Sequence, residues 1–267
     1  MIALLLYLAV GACSGVLAGL FGIGGGMIIV PILAYSFRYL NGFDPEIVMH
    51  MAVATSLAVI IFTSLNAVWA HHKKNAVQWS LMIWMTVGIL VGAVIGGGIS
   101  SSLPGAWLQT CIGIFALLMA VQMYFNIKPK GSDNAVFTMP SRIWQTLSGG
   151  VIGIASAIFG IGGGSITVPL LVWKHLPIHR AVATSAACGI PVAVFGALSY
   201  VFFGWGHASL PAYSAGYVYL PAVVGVAATS MIFARVGVQL AHKLSTKRLR
   251  QLFALLQVCV GISFLVG

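Results

Sequence analysis

Two glycine-rich strings are the part of this sequence whose residue types and spacing could do chemistry. Residues 21–26 read FGIGGG and are followed by Val-Pro at residues 30–31; residues 159–164 repeat the same six letters and are followed by Val-Pro at residues 168–169. Glycine allows backbone dihedral angles that interrupt a helix, and a proline just beyond discourages regular helix. The helix that starts after such an interruption has free backbone N–H groups at the positive end of its dipole, which favours an anion. The strings therefore predict an anion-binding site.

Hydroxyl side chains near the strings could complete this site. A Thr-Ser pair at residues 55–56 recurs at residues 184–185, each partway into the predicted helix that follows a broken segment. Hydroxyl groups can donate hydrogen bonds to an oxyanion. Ser165 directly follows the second string, whereas Met27 holds the equivalent position in the first, so the site should be slightly asymmetric. The predicted substrate-binding residues are Gly22, Gly24, Gly25, Gly26, Thr55, Ser56, Gly160, Gly162, Gly163, Gly164, Ser165, Thr184 and Ser185.

Each of these residue types also has a structural interpretation. Glycines in membrane helices often allow close packing of two helices, which we expect of Gly92, Gly96 and Gly97. A serine or threonine hydroxyl can instead bond back to its own helix. His50 and its counterpart His179 fit helix ends near the membrane interface, or alternatively proton transfer and gating.

The composition requires lipid around most of the protein surface. Of 267 residues, 60% are hydrophobic and 6% are charged, with a mean hydropathy of +1.04, whereas soluble domains carry about 25% charged residues. The 13 Lys and Arg against three acids would suggest nucleic acid as a partner of a soluble protein. Here most of them lie between apolar runs, so we interpret them as topology signals and contacts with lipid headgroups.

No cofactor, metal ion or nucleic acid is expected to bind. The four cysteines are isolated inside apolar runs, so they lack a metal-binding pattern and we expect them to be small buried hydrophobic residues. No Lys-Ser or Lys-Thr pair follows either glycine string, which argues against a phosphate-binding P-loop. An intramembrane enzyme would need a nucleophile with its base, or metal ligands at usable spacing, and neither a GxSG nor an HExxH motif occurs. We therefore do not expect an enzyme.

Repetition divides the chain into two related halves. The glycine string, the Thr-Ser pair and a later FALL string recur in the same order, and the first and last of these recur 138 residues on. We predict an N-terminal membrane repeat at residues 1–128, a linker at residues 129–139 and a C-terminal repeat at residues 140–267. Six apolar runs have the length of a transmembrane helix, about 20 residues. They are residues 47–70, 77–100, 104–125, 180–203, 215–234 and 249–266.

The charges indicate how the two glycine-broken segments, residues 1–37 and 143–173, enter the membrane. If each crossed once, Lys and Arg would divide five against eight between the two sides; if each is a re-entrant hairpin, Arg38 lies alone and the other twelve share the opposite side. The positive-inside rule favours the hairpins. The predicted fold is an all-α polytopic membrane protein with two inverted repeats, each a glycine-broken helical hairpin followed by three transmembrane helices. Both termini should face outside, with the linker in the cytoplasm.

The same residues resemble the TauE/SafE family of membrane proteins, the sulfite exporter family. The resemblance is carried by the glycine strings with VPIL at residues 30–33 and VPLL at residues 168–171, and by the Ala-Thr-Ser residues of the following helices. It covers essentially the whole chain. It implies a multi-pass permease of a bacterial or archaeal inner membrane whose substrates are small sulfur-containing anions, such as sulfite or organosulfonates like sulfoacetate.

The energetics of ion movement favour export. With a negative cell interior, a monoanion that leaves gains about 2.3 kcal/mol per 100 mV, and no acidic residue lies within a predicted span to hold a coupling ion. We therefore predict export of a small sulfur-containing anion bound near the membrane midplane, by uniport or with loose proton coupling through a histidine. An anion channel, an uptake permease for a related anion and a non-transporting subunit of a larger complex are the alternatives.

Overall fold

The computed structural model describes residues 2–21, 25–73, 75–125, 137–241 and 246–266. Gly22, Gly24 and most of the predicted linker lie outside these residues. The helices are α1 (Ile2–Phe21), α2 (Gly26–Tyr35), α3 (Pro45–His72), α4 (Trp79–Ser102), α5 (Gly105–Phe125), α6 (Arg142–Phe159), α7 (Gly164–Trp173), α8 (Ile178–Phe203), α9 (Leu220–Ala241) and α10 (Thr246–Val266). A π-helical turn, Ser36–Leu40, continues α2, and two short antiparallel strands, β1 (Ser214–Ala215) and β2 (Val218–Tyr219), precede α9.

Four helices of the described part are long and apolar enough to cross a membrane. Their apolar stretches are Pro45–Trp69, Trp79–Ser102, Gly105–Gln122 and His179–Phe203. Shorter apolar stretches occur in α1, α2, α7, α9 and α10 and include Leu220–Ala234 in α9 and Ala254–Val266 in α10. The prediction of an all-α polytopic membrane protein is confirmed, and each of the six predicted spans coincides with one helix, α3, α4, α5, α8, α9 or α10.

The predicted span at residues 215–234 begins later than expected. Residues 214–219 form the β1–β2 hairpin, and the helix starts only at Leu220. Gly216, in the turn of this hairpin, has φ 52°, a left-handed conformation that glycine adopts without steric cost and that interrupts a helix. Pro221 then suits the first turn of α9, where its missing N–H would have had no helical partner.

Each glycine-broken segment folds back on itself. In the first, the Tyr7 hydroxyl near the start of α1 donates to Asn41 Oδ1 just after the π-helical turn (3.0 Å), and the rings of Tyr7 and Phe37 meet edge to face. In the second, Lys174 Nζ lies 4.9 Å from the ring centre of Trp144, so the end of α7 lies beside the start of α6. The two ends of each segment are therefore neighbours.

The two halves pack against each other through reciprocal helix pairs. Helix α1 packs mainly against α9 and α6 mainly against α4, while α3 packs against α8 and α5 against α10. Glycines allow two of these approaches: a Cβ added at Gly15 would collide with the Ser230 carbonyl of α9, and one added at Gly92 would collide with the Gly150 carbonyl of α6. The expected packing role of Gly92 is confirmed, as are those of Gly96 and Gly97, which face Ile154 and Ser199.

The cysteines differ from the expectation of buried hydrophobic residues. Cys188 is buried and Cys111 is partly exposed, but Cys13 and Cys259 are exposed. A helix that is apolar on every side carries no periodicity that distinguishes its inner face from its outer face. An outward-facing cysteine in such a helix cannot be told from a buried one by its neighbours in the sequence.

Candidate functional site

Both glycine strings interrupt their helices. Helix α1 ends at Phe21 and α2 begins after Gly25, whose φ is 69°. Helix α6 ends at Phe159, followed by Gly160 with φ 67°, and α7 begins after Gly163 with φ 73°. These left-handed conformations favour glycine because it has no Cβ. The predicted helix breaks are therefore present, although Gly22 and Gly24 of the first lie outside the described residues.

The prolines play a different part from the one expected. Pro31 and Pro169 lie inside α2 and α7 instead of ending them. A proline lacks the N–H that would bond to the carbonyl four residues earlier. The helix therefore continues past each proline, while the carbonyl groups of Met27 and Ser165 lose their usual helical partners.

The first turns of α2 and α7 present free backbone donors. Gly25 and Gly163 are the N-cap residues, and their carbonyls accept the first hydrogen bonds of each helix, from the N–H groups three and four residues on. The N–H groups before these have no partner within the helix, because no earlier helical carbonyl exists. Residues 160–164 and Gly26 are buried, so these donors lie in the interior of the protein.

The two breaks meet in the interior. A Cβ placed on Gly26 would lie 2.5 Å from the Gly160 carbonyl oxygen and 3.0 Å from the Ile161 Cα. The next residues also touch, since Ser165 Oγ lies 3.6 Å from Met27 Sδ. Met27 and Ser165 are equivalent positions of the two halves, so the strings approach each other at corresponding points.

The Thr-Ser pairs connect the breaks to the rest of the fold. Ser56 Oγ donates to the Gly160 carbonyl oxygen at 2.9 Å, which holds α3 against the second break. Thr55 Oγ1 accepts from the Tyr219 N–H at 3.1 Å, and Thr184 Oγ1 accepts from the Gln78 N–H at 3.0 Å. These bonds cross to other segments of the chain, so the alternative of bonding back to the same helix does not describe them.

The threonine bonds form a reciprocal pair. Tyr219 immediately precedes α9, and Gln78 immediately precedes α4. Thr55 on α3 therefore binds the start of α9, and Thr184 on α8 binds the start of α4. Both threonines are fully buried. Each hydroxyl satisfies an N–H at a helix start that would otherwise be unpaired in the interior.

Ser185 is the exception among these hydroxyls. It is fully buried, yet its Oγ has no hydrogen-bond partner within the described structure. Its counterpart Ser56 binds Gly160, and the residue equivalent to Gly160 in the first string is Gly22, which lies outside the described residues. Ser185 is thus a buried donor without a partner on the helix that follows the second break.

The two histidines occupy different environments. His50 is buried, with Nε2 3.1 Å from the Ser100 carbonyl and 3.0 Å from the Leu103 carbonyl at the end of α4, and its ring stacks on Tyr217. His179 is exposed near the start of α8. Both lie near helix ends, but only His50 contacts the end of a second helix. With the proton on Nε2, the ring donates to these carbonyls at the end of α4, of which the Ser100 carbonyl also accepts the Leu103 N–H.

Gln257 is the residue near the breaks that the sequence reasoning missed. It is fully buried on α10, its Nε2 lies 2.7 Å from Met27 Sδ, and its Oε1 has no hydrogen-bond partner in the part of the chain that the structure describes. Ser156 and Thr167, which flank Gly163, also carry buried hydroxyls without a partner there. An amide inside the apolar run 249–266 is a signal that could have pointed to Gln257, because polar side chains in membrane helices are rare and costly.

Comparison with known proteins agrees with this picture. The sequence model of the family described as "Sulfite exporter TauE/SafE" matches residues 7–264. A "Probable membrane transporter protein" of Haemophilus influenzae is 35% identical over 261 residues, which cover 97% of each chain. A protein with the same description from the archaeon Methanocaldococcus jannaschii is 30% identical over 98% of this chain and 95% of its own length. No solved structure shows a significant match. The expectation of a membrane transporter, and not an enzyme, is confirmed by the family and these relatives.

Proposed function

Because this chain belongs to the sulfite exporter TauE/SafE family and is a membrane transporter, we propose that it exports small sulfur-containing anions such as sulfite or sulfoacetate. The proposal places the protein in the plasma (inner) membrane. The observation that carries it is the contact between the two helix breaks, with Gly26 against Gly160 and Met27 against Ser165. The substrate would bind where these breaks meet.

The chemistry of this junction suits an anion. Two helices, α2 and α7, start there, and each presents free N–H groups and the positive end of its dipole. The hydroxyl of Ser165 adds a donor there that no strong acceptor occupies. The buried hydroxyl of Ser185, on the helix that follows the second break, has no partner among the described residues. A transport site has to bind its substrate strongly enough for entry but weakly enough for release. Amide and hydroxyl donors without a full positive charge meet this requirement.

Helix directions support the inverted repeat that this mechanism assumes. His50, in the second turn of α3, lies at the C-terminal end of α4, whereas Thr184, in the second turn of α8, bonds next to the N-terminal end of α4. The equivalent helices α3 and α8 therefore run in opposite directions relative to α4. In this arrangement both termini face outside, the linker is cytoplasmic and the two breaks lie near the membrane midplane.

The acidic residues support transport without a coupling cation. Asp44 caps the start of α3, and Glu46 in its first turn is exposed. Neither lies near the junction of the breaks, so the described helices offer no carboxylate there for a proton or sodium ion. A monoanion leaving a negative interior gains about 2.3 kcal/mol per 100 mV, which is sufficient to drive uniport.

Flux measurements in proteoliposomes test this proposal. The purified protein is reconstituted, the vesicles are loaded with radiolabelled sulfite or sulfoacetate, and efflux is followed under a potassium diffusion potential of either sign. We expect the efflux rate to rise with the anion gradient and with a negative interior. Efflux equal to that of protein-free vesicles, for both anions and both signs of potential, refutes the proposal.

The alternative of an anion channel gives a different result in a planar bilayer. A channel would show discrete single-channel currents, whereas a carrier with a closed junction would not. The contact of Met27 with Ser165 and with Gln257 favours the carrier, because these side chains fill the junction in this conformation. An uptake permease would instead accumulate the anion against a negative interior when a cation gradient is supplied.

A further inference from the structure

We infer that Gln257 on α10 is a ligand of the transported anion, acting with Ser165, and that the Met27 thioether occupies their donor groups when no anion is bound. This inference rests on the proposed function and adds to it a helix outside the glycine-broken segments. It assigns a binding role to a side chain that neither string nor Thr-Ser pair contains. It also explains why a methionine stands at the junction of the two breaks.

Two polar donors converge on one sulfur atom. Gln257 Nε2 lies 2.7 Å from Met27 Sδ, and Ser165 Oγ lies 3.6 Å from the same atom. A thioether sulfur is a weak acceptor. Neither donor has another hydrogen-bond partner in the described structure beyond this sulfur. An oxyanion bound at this point would offer these two donors a charged acceptor, which forms much stronger hydrogen bonds than the thioether sulfur does.

The carbonyl oxygen of the same side-chain amide also has no hydrogen-bond partner among the described residues. Gln257 is fully buried, and this oxygen is its Oε1. Buried polar groups in proteins are nearly always paired, and an exception calls for a water, an ion or a functional role. Because Oε1 is not held, the amide can rotate to present both of its N–H bonds to a ligand. Gln145 Oε1 is also buried without a partner among the described residues, so what distinguishes Gln257 is the weak acceptor that its amide nitrogen meets.

Two other glutamines of this chain use their side-chain amides to bond backbone carbonyls. Gln109 Nε2 on α5 donates to the Phe264 carbonyl of α10 at 3.0 Å, and Gln145 Nε2 donates to the Pro140 carbonyl at 2.7 Å. Both bind strong backbone acceptors. Gln257 is the one whose amide nitrogen meets a thioether.

The equivalent positions of the two halves differ in the same direction. The offset of 138 residues relates Met27 to Ser165 and Met119 to Gln257. In both pairs the first half has a methionine, where the second half has serine in one pair and glutamine in the other. Met119 packs against the same small cluster of side chains that contains Met27. The second half thus supplies both polar groups at the junction, and the first half supplies the flexible methionines that can give way to a ligand.

Four variants in the proteoliposome assay test the inference, with sulfite and sulfoacetate as the probes. We expect Gln257→Leu to raise the half-saturating anion concentration about tenfold, the loss that follows when one hydrogen bond to a charged group is removed. Ser165→Ala should raise it about threefold to tenfold on the same basis. Gln109→Leu is the matched control and should leave it unchanged, because that amide binds a backbone carbonyl away from the breaks.

Met27→Ser should change the half-saturating anion concentration in the opposite direction. Without the thioether that competes for the two donors, and with a hydroxyl equivalent to that of Ser165, the half-saturating concentration should fall several-fold. A purely structural role for Met27 would not produce tighter binding. This variant and Ser165→Ala also decide the question if Gln257→Leu fails to fold.

The two proposals fail in different ways. If the wild-type protein moves neither anion, the proposed function is wrong and the inference falls with it. If the wild-type protein transports, but Gln257→Leu and Gln109→Leu have the same half-saturating concentration and Met27→Ser does not lower it, only the ligand role of Gln257 is refuted.

Discussion

Adding one methyl group at Gly26 should separate the two helix breaks. In Gly26→Ala the new Cβ would lie 2.5 Å from the Gly160 carbonyl oxygen, whereas an ordinary contact is 3.4 Å or more, so the two segments have to part by about 0.9 Å. The obstacle is backbone and cannot rotate away. Binding sites need their groups within about 0.5 Å of the productive geometry, and a shift of about 1 Å can cost about 100-fold in activity. We expect the initial rate of anion efflux from proteoliposomes to fall at least tenfold.

Gly150→Ala is the matched control for this variant. Its added Cβ would meet the Gly88 carbonyl oxygen at 3.8 Å, an ordinary contact, and Gly150 lies within the helix α6, where alanine is favoured by about 1 kcal/mol over glycine. This variant should transport as the wild type does and unfold at the same or a higher temperature. If Gly26→Ala retains full efflux while folding normally, the contact between the breaks is not the binding site.

Two further predictions concern the groups that hold the site in place. Ser56→Ala leaves the buried Gly160 carbonyl without its donor, which should cost about 1–3 kcal/mol and lower the midpoint of thermal unfolding by several degrees, whereas Ser263→Ala, at an exposed serine that bonds to its own helix, should not change it. His50→Phe keeps a ring beside Tyr217 but removes the donor to the end of α4, so thermal unfolding should again occur at a lower temperature while the pH dependence of efflux stays the same. Unchanged unfolding together with a lost pH dependence would instead assign His50 to proton transfer.

The parts of the site that depend on backbone conformation could be predicted from the sequence. Glycine at Gly25, Gly160 and Gly163 marks positions with positive φ, and the repetition of the string showed that both halves break in the same way. That each segment enters and leaves the membrane on one side stays a prediction from where Lys and Arg lie. These features are local, or follow from charge distribution, and so leave a direct trace in the sequence.

The partners of the side chains could not be predicted, because they come from distant parts of the chain. The Thr55 hydroxyl accepts the Tyr219 N–H, 164 residues away, and the Thr184 hydroxyl accepts the Gln78 N–H, 106 residues away. The sequence reasoning missed Gln257 for a different reason. The equivalent of Gln257 is Met119, so this polar group, present in one half only, leaves no repeated pattern.

The glycine-lined approaches between helices restrict how this protein can change shape. At Gly15 and Gly92 the backbones of α1 and α9, and of α4 and α6, lie so close that neither pair has room to slide past an intervening side chain. Helix α1 comes from the first half and α9 from the second, and the same is true of α4 and α6. Any rigid body that rocks during a transport cycle must therefore combine helices from both halves. A motion that parts the chain at its linker would have to unlock both couplings at once.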